Sequence, residues 1–244
     1  MRIDVYLFEK GYAISRTRAR MMIEAGDVSV NGIPVLRPAF AVEGDEDIQV
    51  TDSLRYVSRG GLKLEAALDA FSVSPHGRAV LDIGASSGGF TDCVLQRGAK
   101  LVYAVDSGSG QLVPSLRTDP RVICRENCNA RYLKAGDFAE RPTLAVMDVS
   151  FISQTLIHPA VSAVLPSGGE FIALIKPQFE AGRAAVGRGG IVKKESDRRA
   201  SVARVVASAQ ACGFQSMGVI PSPILGGDGN TEYLGYFIKT GGAE

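Results

Sequence analysis

Four charged residues occupy positions from which they could move a proton. Lys176 follows five apolar residues, and Asp148 ends another apolar stretch in MDVSF. Lys63 lies in a pattern typical of a helix, ahead of the apolar stretch at 79–83. Glu232 lies just before the last apolar stretch, at 233–238. A lysine at the end of a buried strand is costly unless an opposite charge pairs with it. Such a group suits activation of a poor nucleophile, such as a ribose 2′-hydroxyl, for a metal-free methyl transfer. Ordinary ion pairs remain the alternative.

A glycine-rich loop, GASSGGFTD, follows the apolar stretch AVLDI and opens a helix. Glycines let the backbone approach a ligand, and a helix N-terminus attracts an anion. The spacing G-x-x-x-G-G, with Asp82 before it, suits the carboxylate and ammonium of a methionine moiety better than a pyrophosphate. Asp106 ends the next strand, where a carboxylate can accept both ribose hydroxyls. S-adenosylmethionine is the predicted cofactor. The alternatives are that the loop binds another nucleotide, or that it is a glycine turn with a purely structural role. The predicted contacts are Asp82, Gly84, Ala85, Ser86, Gly88, Gly89, Phe90, Thr91 and Asp106.

Two other methyl-transfer chemistries are disfavoured by the sequence. Base N-methyltransferases usually carry Asn/Asp-Pro-Pro-aromatic after the fourth strand, and this tetrapeptide does not occur. Carbon methylation of a pyrimidine needs a nucleophilic cysteine near the fourth or fifth strand end. Cys124 and Cys128 lie near the end of the third strand instead.

The elements that must position these residues alternate between strand and helix from residue 59 onward. Short, nearly continuous apolar stretches predict strands buried on both faces of a mostly parallel sheet. We therefore expect a doubly wound α/β domain whose ligand lies at the carboxyl ends of the strands. The predicted strands are 79–83, 101–105, 122–124, 143–149, 171–175, 214–220 and 233–238, and the main helices are 62–71 and 196–212.

A different pattern in residues 1–50 predicts a small α+β module in front of this domain. Its markers are Ser15 as a helix N-cap, Gly26 as the helix end, Asn31-Gly32 as a type I′ turn, and Ile48 and Val50 as a further strand. The predicted organisation is a first domain at 1–52, a linker at 53–58 and a catalytic domain at 59–244.

Composition limits the classes of protein to consider. The net charge is +1, so any attraction to nucleic acid must be local. Four cysteines without a CxxC pair, and two histidines, disfavour a zinc site. No apolar run approaches the about 20 residues of a membrane span. We expect a cytoplasmic protein with free thiols and no metal.

Two local groups of basic residues are candidates for RNA contact, with a solvated charged surface as the alternative. The second group includes the loop GRAAVGRGG, interpreted as a mobile flap that orders on RNA. The first group is Arg2, Lys10, Arg16, Arg18, Arg20 and Arg59. The second is Arg183, Arg188, Lys193, Lys194, Arg198, Arg199 and Arg204.

Several of these motifs also resemble those of a known family. The motifs, in chain order, are RGGLKLEAAL, DIGASSGGFTD, DSGSGQL, MDVSFIS, LIKPQFEAGR, GGIV and GNTEYLGY. They resemble, in this order, motifs of the TlyA (hemolysin A-like) ribosomal RNA 2′-O-methyltransferases, whose catalytic domain is similar to the FtsJ class. The segment LFEKGYAISRTRARMMIEAGDVSVNG resembles an S4 RNA-binding domain.

The resemblance implies a seven-stranded class I methyltransferase domain, similar to a Rossmann fold, with Lys63, Asp148, Lys176 and Glu232 as its catalytic tetrad. It also implies methylation of a cytidine ribose in ribosomal RNA or ribosomal subunits. The length is similar to that of members that modify only the large-subunit site. Two alternatives are a hemolysin or membrane-active protein, and a ribosome assembly factor with a vestigial methyltransferase site.

Overall fold

The computed structural model describes residues 1–13, 15–51 and 55–241, and the chain divides into two compact units, Met1–Arg59 and Gly60–Glu244. Of the predicted linker 53–58, residues 53 and 54 lie outside the described part, as does residue 52, the predicted end of the first domain.

The first unit packs two helices against a small antiparallel sheet of order β2-β1-β3. The side chain of Ser15 caps α2 by accepting a hydrogen bond from the Arg18 amide at 3.1 Å, and Gly26 ends the helix with φ +84°. Asn31 and Gly32 both have positive φ, which confirms the predicted turn. The elements are α1 (Ile3–Glu9), α2 (Arg16–Ala25), β1 (Val28–Val30), β2 (Ile33–Pro34) and β3 (Ile48–Val50).

The second unit is built on a seven-stranded sheet of order β6-β5-β4-β7-β8-β10-β9. Strands β4 to β8 pair in parallel, and β10 pairs antiparallel with both β8 and β9. The predicted mostly parallel α/β fold is confirmed. The strands are β4 (Ala79–Ile83), β5 (Leu101–Val105), β6 (Val122–Arg125), β7 (Leu144–Met147), β8 (Glu170–Ile175), β9 (Phe214–Pro221) and β10 (Tyr233–Lys239).

The central strands are buried on both faces, which explains their nearly continuous apolar sequences. Helices cover the sheet, and α3 packs against α4 and β10. The helices are α3 (Gly60–Ala70), α4 (Gly89–Gln96), α5 (Pro114–Arg117), α6 (His158–Val164), α7 (Pro177–Glu180) and α8 (Glu195–Ala211), with short 3₁₀ turns at Ala130–Tyr132, Ala135–Asp137, Gln154–Leu156 and Arg183–Ala185.

One predicted strand boundary differs in a way that matters for the site. The strand predicted at 143–149 is Leu144–Met147, so Asp148 lies just beyond it. The Asp148 amide still donates to the Ile83 carbonyl at 2.9 Å, which keeps this residue against the end of β4. Because β10 is antiparallel, its first residues meet the same edge of the sheet as the carboxyl ends of β4, β5, β7 and β8.

Candidate active site

A cavity of about 530 Å³ opens at the carboxyl ends of β4, β5 and β7. Its volume lies within the about 300–1,000 Å³ typical of small-molecule sites. Three of the predicted cofactor residues line it, namely Gly84, Ser86 and Asp106. The others lie in or behind the loop and do not line it: Asp82, Ala85, Gly88, Gly89, Phe90 and Thr91. Sequence reasoning gave no role to five residues that line the cavity from the irregular loops after β5, β6 and β7, namely Ser107, Gln111, Asn129, Ser150 and Phe151.

Gly84 allows the loop after β4 to touch the loop after β7. Its φ is +82°, and a Cβ atom at this position would lie 2.3 Å from the carbonyl oxygen of Asp148. An ordinary side chain therefore conflicts with both the backbone conformation and the neighbouring backbone. The close approach places the glycine-rich loop directly beside the loop that carries Asp148.

Two backbone N–H groups orient the Asp106 carboxylate. The Gly108 amide donates to Oδ1 at 2.7 Å, and the Ser86 amide donates to Oδ2 at 2.8 Å. A carboxylate has about four acceptor positions, so two remain for other donors. Because Asp106 lines the cavity, these positions suit the two hydroxyls of a ribose.

Glu126 anchors the loop that follows Asp106. Its carboxylate accepts hydrogen bonds from the amides of Gly110 at 2.7 Å, Gln111 at 2.9 Å and Leu112 at 3.2 Å, and it pairs with Arg117 at 2.6 Å. Backbone hydrogen bonds, first that from Gly110, lower the pKa of Glu126 to about 2. The wall of the cavity beyond β5 is thus held by an ionised side chain.

Asp82 is a buried carboxyl group with one unused oxygen. Oδ2 accepts a hydrogen bond from Thr91 Oγ1 at 2.6 Å, whereas no donor among the described residues reaches Oδ1. Burial raises the pKa of Asp82 to about 7, and the nearby charges of Asp148 and Asp106 add to the shift. A cationic group bound close by would favour the ionised form. This environment fits an ammonium-bearing ligand, although Asp82 itself does not line the cavity.

Lys176 lies at the end of β8, with its side chain held by the loop after β7. Its Nζ is 2.6 Å from Asp148 Oδ1 and donates a hydrogen bond to Ser150 Oγ at 2.8 Å. The side chains are 12% and 23% exposed for Lys176 and Asp148, so the pair is largely shielded without being sealed. Asp148 and Ser150 also line the cavity, which brings the lysine to its margin.

Lys63 and Glu232 form a second, more deeply buried pair, with Nζ 2.5 Å from Oε2. Their side chains are only 10% and 3% exposed. Tyr233 pairs with Ile175 across the antiparallel strands. The next residues outward, Glu232 and Lys176, therefore follow side by side at one edge of the sheet. The structure thus brings the four predicted residues together as two ion pairs from adjoining elements.

The basic residues of the second unit have two roles in the structure. Arg198 donates to the carbonyls of Val192 and Lys193, Arg204 donates to that of Glu180, and Arg199 pairs with Glu195. These three contribute to local structure. Arg183, Arg188, Lys193 and Lys194 are exposed, and within residues 55–241 no carboxylate pairs with them.

The loop that carries these exposed residues has a defined conformation. The buried side chain of Asn230 accepts from the Val192 amide and donates to the Gly190 carbonyl, both at 3.0 Å. The loop predicted to be a flap is therefore tied to the segment that leads into Glu232.

In the first unit, the predicted RNA-binding arginines are partly committed to internal contacts. Arg2 and Arg16 both pair with the fully buried Asp4, at 2.9 and 3.2 Å, while their own side chains remain 50% and 56% exposed. Arg18 donates to the Tyr56 carbonyl, and Lys10 lies over the Tyr6 ring at 5.8 Å. Arg20 and Arg59 are exposed.

Comparison with protein families matches the two units separately. Residues 56–239 match the FtsJ-like methyltransferase family, and residues 1–48 match the S4 domain. The chain is 45% identical over 235 residues to the 16S/23S rRNA (cytidine-2′-O)-methyltransferase TlyA of Mycobacterium tuberculosis, covering 96% of this chain and 88% of that protein. It is 44% identical over 239 residues to hemolysin A of Brachyspira hyodysenteriae, covering 98% and 100%.

A solved structure is similar to this chain over nearly its whole length. A protein from Streptococcus thermophilus, described as a candidate hemolysin, is 45% identical and superposes with a TM-score of 0.79, covering 98% of this chain and 88% of that one. No helix in the described part of the chain is long and apolar enough to cross a membrane.

Proposed function

Because the chain belongs to the FtsJ-like methyltransferase family and carries an S4 domain in front of the catalytic domain, we propose that it methylates the 2′-hydroxyl of a cytidine ribose in ribosomal RNA. The observation that carries the proposal is the pairing of Lys176 with Asp148 at the margin of a cofactor-sized cavity. The relative from Mycobacterium tuberculosis, named for this chemistry, supports the choice of substrate.

The proposed cofactor is S-adenosylmethionine, which supplies an electrophilic methyl group when bound. Asp106, oriented by two backbone amides, is placed to hold the ribose hydroxyls. Gly84 and Ser86 expose backbone at the cavity wall, and Asp82 supplies negative charge behind it. Asn129 lines the same cavity and offers a side-chain amide to the adenine.

The two ion pairs have different roles in this proposal. Lys176 lies at the cavity margin, held by Asp148, and accepts the proton of the substrate hydroxyl. Lys63 and Glu232 form a buried pair that ties α3 to the segment before β10, at the edge of the sheet where Lys176 lies. Positioning of the hydroxyl and proton removal together account for the chemistry required of the protein, and no metal is needed.

RNA recognition is assigned to the S4 domain and to the exposed basic residues of the second unit. Arg20 and Arg59 in the first unit, and the second-unit loop with Arg183 and Arg188, present cations suited to phosphates. Arg2 and Arg16 keep about half of their side chains exposed while bound to Asp4, so they remain candidates for phosphate contact. The proposed target is the large subunit, in line with the expectation from the sequence.

Radiolabelled methyl transfer onto separated small subunits, large subunits and intact ribosomes tests this function directly. We expect label in ribosomal RNA at a cytidine ribose, and in the large subunit only. In parallel, Lys176→Ala is expected to lower turnover by about 10²–10⁴-fold, the contribution typical of a general base, with the cofactor dissociation constant unchanged within about twofold. Absence of label with the unaltered protein on every RNA would refute the function. Label in both subunits would refute only the large-subunit restriction.

A further inference from the structure

The ammonium of Lys176 has two polar partners: Asp148, with which it forms an ion pair, and Ser150, to which it donates a hydrogen bond. Nζ lies 2.6 Å from Asp148 Oδ1 and 2.8 Å from Ser150 Oγ. Both partners come from the loop after β7, two positions apart, and both line the cavity. The nitrogen is therefore held from one side by a single short segment.

Two contacts determine how the nitrogen is oriented. A protonated lysine has three N–H groups, whereas a neutral lysine has two N–H groups and one lone pair. When Ser150 accepts one N–H group of the neutral amine, the charge of Asp148 favours the second N–H group on its own side, so the lone pair occupies the third corner of the nitrogen. With Asp148 alone, rotation about the last C–N bond would let either an N–H group or the lone pair take that corner.

We propose that Ser150 is a positioning residue that fixes the lone pair of Lys176 toward the substrate hydroxyl. The inference rests on the function proposed above. In the step concerned, the hydroxyl proton moves onto the amine nitrogen, which becomes an ammonium ion, and the oxygen keeps the electron pair of the broken O–H bond. Ser150 takes no proton in this step; its oxygen accepts a hydrogen bond from Lys176 before and after it.

The surrounding loop is built to keep Ser150 in place. On one side, the Asp148 amide donates to the Ile83 carbonyl at 2.9 Å. On the other, the buried carboxylate of Glu180 accepts from Ser153 Oγ at 2.6 Å and from the Gln154 amide at 2.9 Å. The loop is thus fastened at both ends, to β4 and to α7.

The backbone between these fastenings is strained. Phe151, directly after Ser150, has φ +62°, a conformation that non-glycine residues seldom adopt. Such strain persists only where the surroundings impose it, and it clusters at functional sites. Ser150 lies directly before this bend and keeps its hydrogen bond to Lys176 although its side chain is exposed.

Steady-state kinetics of Ser150→Ala and Ser150→Thr test the proposal on an RNA that the unaltered protein methylates. We expect Ser150→Ala to lower kcat about tenfold, from the loss of one hydrogen bond and one fixed rotamer, with KM for RNA and cofactor unchanged within about twofold. Ser150→Thr keeps a hydroxyl and should retain kcat within about threefold. Ser115→Ala, at an exposed serine on α5, is the matched control and should behave as the unaltered protein.

Each other outcome has a defined meaning. An unchanged kcat in Ser150→Ala, a change in cofactor KM instead of kcat, or an equal loss in Ser150→Thr would each overturn the positioning role. If the unaltered protein methylates no RNA at all, the proposed function fails first, so the two failures are distinguishable. Cofactor titration of Ser150→Ala by calorimetry, together with its circular dichroism spectrum, establishes that the variant is folded and that a loss lies in the chemical step.

Discussion

Replacing Asp82 with asparagine is expected to remove a pH-dependent loss of stability and to weaken cofactor binding at the same time. The Asp82 carboxyl is fully buried, and burial raises its pKa from 3.8 to about 7. Such a pKa difference between the folded and unfolded chain lowers the unfolding free energy by about 4 kcal/mol at a pH above both pKa values. Ionisation of Asp82 in the folded chain therefore costs folding free energy.

The sign of this pH dependence follows from which state of the chain, folded or unfolded, binds the proton more tightly. The folded-state pKa lies above the unfolded value, so the folded chain binds more protons between these values, and the unfolding free energy falls as the pH rises. From pH 5 to pH 8 the linkage relation gives a loss of about 2–3 kcal/mol from this group. Asparagine does not ionise and removes this slope. The asparagine amide N–H lies where Asp82 Oδ1 has no partner, so it lowers the unfolding free energy by about 1–3 kcal/mol at every pH.

Urea unfolding of the ligand-free protein at pH 5, 6, 7 and 8, followed by circular dichroism, measures the effect. The unfolding free energy of Asp82→Asn relative to the unaltered protein should rise by about 2–3 kcal/mol over this range. Asp228→Asn, at an exposed aspartate, is the control and should show no such trend. Parallel pH dependences of the unaltered protein and Asp82→Asn would refute the reasoning.

Cofactor titration gives the second half of the prediction. If the buried charge of Asp82 acts on the ammonium of the cofactor, Asp82→Asn should raise the dissociation constant about 5- to 30-fold, equivalent to about 1–2 kcal/mol. An unchanged dissociation constant would remove Asp82 from cofactor binding while leaving the stability argument intact.

Three further substitutions test separate parts of the site. Asp106→Ala should raise the cofactor dissociation constant about tenfold or more in calorimetry, because two ribose hydrogen bonds are lost; unchanged affinity would contradict the assignment. Glu232→Gln should lower the unfolding free energy by about 3–5 kcal/mol in urea unfolding, since it leaves the charge of Lys63 buried and unpaired. Glu195→Gln, at an exposed ion pair, is the control and should lower it by under about 1 kcal/mol. Arg188→Ala should reduce the slope of log K against log salt for RNA binding by about 0.7–0.9, and an unchanged slope would exclude a phosphate contact there.

The fold could be predicted from the sequence because local patterns and the packing of the elements agree. Buried strands β4, β5 and β8 have nearly continuous apolar sequences, and their predicted bounds match within one residue. The cap at Ser15 and the turn at Asn31-Gly32 rely on the local chemistry of one or two residues. Such features do not depend on distant parts of the chain.

The site was only partly accessible to the same reasoning. Lys176 and Asp148 follow buried strands, so the sheet topology brings them together. Ser150 has no such marker, because its contact with Lys176 depends on the course of an irregular loop. Arg2 and Arg16 show the opposite limit. Their sequence pattern indicates a basic surface, but the buried Asp4 that binds both is visible only once α1 and α2 are packed.

The Lys63–Glu232 pair spans 169 positions of the chain, from α3, ahead of the first strand of the sheet, to the segment just before β10, its last strand in sequence. During synthesis, β4 to β8 and the residues that line the cavity are added before Glu232. Until β10 arrives, Lys63 has no counter-charge from that strand, and β8 and β9 lack the strand that joins them. A chain that stops short of Glu232 therefore leaves Lys63 without this ion-pair partner and the sheet without the strand between β8 and β9.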